Sequence, residues 1–157
     1  MSIDRADPAI LGHVLAGHRD LFHLMQSVRA ALAGTAKPTA SDCDALLESM
    51  RRLRGHLGEH FGQEEAGGFL EESVARMPRL WPSVKLILDE HPGLLDELDT
   101  VIDGLASASV PLRGTSATCW SATAAAFERF AAHMSEHERR ENAVVQDGYN
   151  ENLGLVE

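Results

Sequence analysis

The chain lacks any apolar run approaching the roughly 20 residues needed to cross a bilayer, so no transmembrane helix is expected. Cysteine is scarce: Cys43 and Cys119 are the only two, and they form no C-x-x-C pair. With no basic, apolar leader at the N-terminus, the expectation is a reduced, cytoplasmic protein with ordinary thiols. Basic residues are outnumbered, 14 Lys and Arg against 24 Asp and Glu, for a net charge of −10. Nucleic acids and anionic membranes require a basic surface, so neither is expected as a partner. Wholesale disorder is excluded too, because hydrophobic residues make up 44% and charged residues 24%, close to ordinary globular usage. At this length the chain is read as one domain spanning 1–157, with room for one core.

Histidine, by contrast, is plentiful, with eight in the chain. In the stretch from His133 to Asn142, His137 and Glu141 stand four residues apart. On a helix that spacing stacks both side chains on one face and offers a nitrogen and an oxygen to the same metal ion. The frame H-x-x-E-H-x-x-x-E occurs twice, as His56 to Glu64 and as His133 to Glu141.

Apolar residues at intervals of three and four predict amphipathic helices over about 8–33, 41–66, 83–106 and 116–147, with a short helix over about 69–77 between the second and third. Asp7-Pro8 reads as the first helix start, and Ser41, Ser83 and Ser116 as caps of the others. Gly34 to Thr39, Gly67-Gly68 and Ser107 to Thr115 read as breaks between helices. Leu11, Val14, His18, Leu21 and Met25 align at a constant offset with Val84, Ile87, His91, Leu94 and Leu98. Leu46, Met50, Leu53, Leu57, His60 and Glu64 align likewise with Thr123, Phe127, Phe130, Met134, His137 and Glu141. A helical hairpin is thus used twice, which predicts an all-α, antiparallel up-down-up-down four-helix bundle. Pro92-Gly93 directly after His91 is expected to kink its helix. The polar stretch from Gln146 through Leu155 is assigned no structure.

In such a bundle His18, His60, Glu64, His91, His137 and Glu141 fall at one height on the inward seams. A lone core histidine is normally a hydrogen-bonded packing residue. Two buried glutamates, however, would each cost several kcal/mol without partners. Four imidazoles and two carboxylates suit a pair of first-row transition ions, each glutamate able to bridge them and each ion taking two histidines. Leu21, Leu57, Leu94 and Met134 would line the site. His56 and His133 sit one residue off the seam, where an outer or entrance role is expected. Glu59, Glu65, Glu136 and Glu138 read as solvated helix surface, and His13 and His23 as surface or interhelix polar contacts.

These motifs resemble the hemerythrin family, in particular bacterial hemerythrin-like proteins with the HHE cation-binding motif, over about His13 to Val145. His18 in Gly17-His18-Arg19-Asp20-Leu21 looks like the family's first-helix ligand, and His60-Phe61 through Glu64-Glu65 like its HF-x-x-EE signature. Glu90-His91 looks like the third-helix ligand and His137 through Glu141-Asn142 like the HxxxEN signature. The resemblance implies a non-haem di-iron pair bridged by Glu64, Glu141 and an oxo or hydroxo group, although manganese and zinc suit the same donors. Oxygen carriers of the family have a second third-helix histidine where this chain has Leu95, which implies an open metal position and a shift towards peroxide chemistry. The implied function is binding of oxygen, peroxide or nitric oxide by a sensor or detoxifying protein. Two alternatives stand beside it: a di-iron enzyme with peroxidase, catalase-like or nitric-oxide-reducing activity, and a structural or regulatory metal-binding bundle.

Overall fold

A computed structural model describes the backbone of residues 8–34, 37–66 and 69–154, and side chains between Gly17 and Gly148 except those of residues 69 and 72. Asp7, Gly67-Gly68 and Leu155, and the side chains of Leu11, His13 and Val14, lie outside the described residues. Among the described residues five α-helices follow one another: α1 Pro8–Ala33, α2 Ala40–Glu65, α3 Phe69–Arg76, α4 Trp81–Ala108 and α5 Ala117–Gly154, with a 3-10 turn at Pro78–Leu80 before α4. α1 packs on α2 and α5, and α4 packs on the same two helices, so the long helices close into a four-membered ring. The all-α bundle and the short helix between the second and third long helices are as the periodicity predicts. No helix among the described residues is long and apolar enough to cross a membrane.

Three boundaries differ from expectation, two for a local reason and one through packing. The cap of α2 is Thr39, not Ser41. Its hydroxyl accepts from the Asp42 N–H at 3.2 Å while the Asp42 carboxylate accepts from the Thr39 N–H at 2.8 Å, a reciprocal capping box. α4 begins at Trp81, not Ser83, because Pro82 lies in the first turn, where its missing donor costs nothing. α5 continues to Gly154 through the polar stretch that showed no pattern. Just before that stretch Val144 is buried with Leu70, Met77, Leu80, Val84 and Ile87, and α3 packs along α5, so packing on one narrow face extends the helix. Ser116 does cap α5, its hydroxyl accepting from the Cys119 N–H at 3.1 Å.

Pro92 does not break α4, and His91 beside it is 1% exposed. Pro92 and Gly93 both face solvent, so the carbonyl that loses its helical partner can turn to water. The connection from α4 to α5 turns tightly at Gly114, whose φ of +73° would strain a side chain and whose added Cβ would lie 2.7 Å from the Thr39 carbonyl carbon. The helices are further tied by Trp120, which donates its indole N–H to the Leu32 carbonyl at 3.1 Å. Arg29 grips Glu128 with two hydrogen bonds, and Arg54 reaches Asp99 at 2.9 Å.

The apolar interior is in two parts. The larger is built on Leu21, Met50, Leu53, Leu57, Leu98, Leu105, Phe127 and Phe130, and the smaller on the Leu70–Val144 group. Along α4 the order is Ile87, His91, Leu94, and along α5 it is Met134, His137, Glu141, Val144. A polar layer therefore separates the two parts.

Candidate metal centre

The polar layer is assembled one helix at a time. On α2 and α5 the four-residue spacing puts His60 above Glu64 and His137 above Glu141 on the inward face. α1 brings His18 alongside, and it can do so because Gly17 precedes it. A Cβ at Gly17 would lie 3.1 Å from His60 Nδ1. α4 supplies His91. His60, Glu64, His91, His137 and Glu141 are all buried, and His18 is nearly so.

Within this layer His18, His60, Glu64 and Glu141 form one group of donor atoms that could hold an ion, and Glu64, His91 and His137 form another. Each carboxylate faces both groups. Glu64 turns Oε1 to His60 Nε2 at 2.7 Å and Oε2 to His91 Nε2 at 2.9 Å. Glu141 turns Oε1 to His18 Nε2 at 3.4 Å and Oε2 to His137 Nε2 at 3.8 Å.

All but the last of these distances are within hydrogen-bond reach, yet the atoms are not aligned for such bonds. Among the described residues, His18 Nε2, His91 Nε2, His137 Nε2 and both Glu64 oxygens are buried without a hydrogen-bond partner. Buried polar atoms in native proteins are nearly always satisfied. Lone pairs that converge without bonding one another are what a cation between them would require, so the donor set fits metal ions.

The same crowding disturbs the acid–base balance. Burial raises Glu64, but the neighbouring imidazoles of His60 and His91 outweigh it and hold the carboxyl well below the usual range. For Glu141 burial dominates; His18 opposes it, Glu64 reinforces it, and the carboxyl is pushed up to about 7. Against the pull of burial, Glu141 raises His18, while Glu64 and Glu65 raise His91. His137 is lowered, chiefly by burial.

Two residues read as plain surface take part. Glu65 meets His91 Nδ1 at 2.9 Å, and Glu138 is half-buried beside the layer, its pKa raised by burial with His18 and His60 opposing. Glu59 and Glu136 keep the exposed role expected of them, Glu136 pairing with Arg139 and Arg140 on its own helix. Glu90, not singled out by its position, meets His137 Nδ1 at 3.2 Å and is held by Arg140. Phe61 stacks on His91 with ring centres 3.8 Å apart. These partners lie off the seam and act on the next helix, so periodicity within one helix gives no sign of them.

His133 and His56 belong to neither donor group. His133 is well exposed and pairs with Glu97 at 2.8 Å, away from His137; His56 is half-buried one turn before His60. His23 is exposed, its ring edge-on to Phe22. Leu21, Leu57, Leu94 and Met134 are buried in or beside the layer as expected. Leu95 is half-buried against the larger core.

Comparison with curated proteins and with solved structures gives no match. The sequence model of the hemerythrin HHE cation binding domain, in contrast, matches residues 9–149, a span that takes in all six side chains of the layer. A helical bundle with two groups of histidine and glutamate donors at its centre, matched over nearly its whole length, belongs to the hemerythrin HHE cation-binding domain family.

Proposed function

We propose that the protein holds a pair of non-haem iron ions through His18, His60, Glu64, His91, His137 and Glu141, and binds oxygen, peroxide or nitric oxide there as a sensor or detoxifying protein. The observation that carries this reading is the two-sided placement of Glu64 and Glu141, each with one oxygen towards His18 or His60 and the other towards His91 or His137. When bound, an iron pair supplies Lewis acidity and redox chemistry. The chain itself supplies the donors, a dry lining from Leu21, Leu57, Leu94 and Met134, and shielding of His91 by the Phe61 ring.

The test is elemental analysis with an optical spectrum of protein grown in iron-rich medium. Two iron ions per chain and near-ultraviolet absorption of a ferric pair are expected, whereas zinc would be optically silent. Glu64→Ala with Glu141→Ala should abolish binding of the pair, and full occupancy in that variant contradicts the reading. An enzymatic reading is favoured by the smaller donor group, since Glu64, His91 and His137 offer three ligands against four on the other side, and open positions permit turnover. Peroxide consumption by iron-loaded protein, lost in Glu64→Ala, separates turnover from binding alone.

A further inference from the structure

We propose that Glu65 and Glu90 are positioning residues for one of the two metal positions only, that of His91 and His137. The inference rests on the two-ion reading above. Each carboxylate reaches from one helix to the ring on the next: Glu65 at the end of α2 meets Nδ1 of His91 on α4, and Glu90 on α4 meets Nδ1 of His137 on α5. An ionised carboxylate only accepts, so the ring proton of each neutral imidazole sits on Nδ1 and the lone pair on Nε2. Those two Nε2 atoms are the buried, unpartnered ones facing Glu64 and Glu141. Tautomer and ring orientation are thereby fixed before any ion arrives, and the negative partner makes each ring a stronger donor.

The other position is built differently. His60 presents Nδ1 to Gly17, and among the described residues no carboxylate bonds Nδ1 of His18 or His60. Glu138 lies on that side without a hydrogen bond to either ring among the described residues. Arg140, which also reaches Glu136 at 3.7 Å, clamps Glu90 and so reinforces the asymmetry. The His91–His137 position has fewer donors but oriented ones; the His18–His60 position has more donors and, among the described residues, no outer carboxylates bonded to its rings.

Substitution here removes little packing, because Glu65 is exposed and Glu90 borders an open cleft of about 370 Å³. The probe ion is zinc, followed by competition with a chelator and by nitrogen-15 NMR of labelled histidines. In metal-free wild type, His91 and His137 should show the single tautomer protonated on Nδ1. Glu65→Ala and Glu90→Ala should mix the tautomers, and Glu65→Gln and Glu90→Gln, which keep an acceptor, should restore them. With zinc, wild type should bind two ions; the double alanine variant should keep one tightly and hold the other about 10- to 100-fold more weakly or worse. The His18 and His60 signals of the loaded form should not change. Wild type with two ions and a double variant that weakens both positions equally, or neither, overturns the assignment, as does an unaltered tautomer in the alanine variants. A wild type that takes up fewer than two zinc ions overturns instead the two-ion reading on which the assignment rests.

Discussion

Gly17 sets how closely α1 approaches the centre, and it does so by the absence of one methyl group. Alanine is the better helix former by about 1 kcal/mol, so Gly17→Ala should not lower the melting temperature of the metal-free chain. Its Cβ would nevertheless stand 3.1 Å from His60 Nδ1 and 3.4 Å from Cε1, and the ring would have to shift. Zinc affinity at the His18–His60 position should fall about tenfold, an effect typical of disturbing a ligand's support. Unchanged affinity in a calorimetric titration would mean that the ring has slack. The six candidate donors were legible in the sequence because each interrupts an apolar rhythm at a place where leucine is due. Glu65 and Glu90 were not, since only the rotation of neighbouring helices decides whether an off-seam carboxylate meets water or a ring.

At the scale of the helix, local chemistry and tertiary packing each decide some of the boundaries. The capping box of α2 is local: Thr39→Ala removes the acceptor of the Asp42 N–H and should cost about 1 kcal/mol in denaturant unfolding. Ser41→Ala, at the serine that looked like the cap, should cost no more than a few tenths. Both residues suit a cap by type and each has an aspartate three residues on, Asp42 and Asp44, so the sequence offers two capping boxes and the structure forms the one at Thr39. The end of α5 is a tertiary matter, because one apolar residue per turn is too faint a pattern to read until α3 is seen against it. Pro92 shows the reverse case, a strong local signal inside a helix that nevertheless runs on, because its face of α4 is open to solvent.

For the whole molecule, the polar layer makes stability depend on pH in opposite senses with and without metal. In the metal-free chain Glu141 titrates near 7 when folded and near 4.5 when unfolded. A carboxyl raised by folding contributes stability below its unfolded pKa and loses it as pH rises through the folded one. At about 1.4 kcal/mol per pH unit, that is on the order of 3 kcal/mol between pH 4.5 and 7. The raised His18 and His91 act in the same sense as pH climbs past their folded values, whereas the lowered His137 opposes. Glu64 is held low, so its contribution is lost only in more acidic solution. Melting of chelated protein should therefore fall from pH 5 to 7.5, while melting with zinc should rise, since metal binding requires deprotonated ligands. Parallel curves would remove the layer from any role in stability.

The division of the interior by that layer also bears on cooperativity. Four helices carry the backbone across it, but among the described residues the block around Leu70 and Val144 and the block around Leu53 and Phe130 form separate apolar clusters. Each block can then open at its own free energy. In chelated protein, amide hydrogens of α3 and of α5 beyond Val144 should exchange through opening of the small block alone, well before those near Leu53. An ion pair bound from both sides of the layer closes that fracture line, and exchange from the two blocks should converge on one global unfolding event.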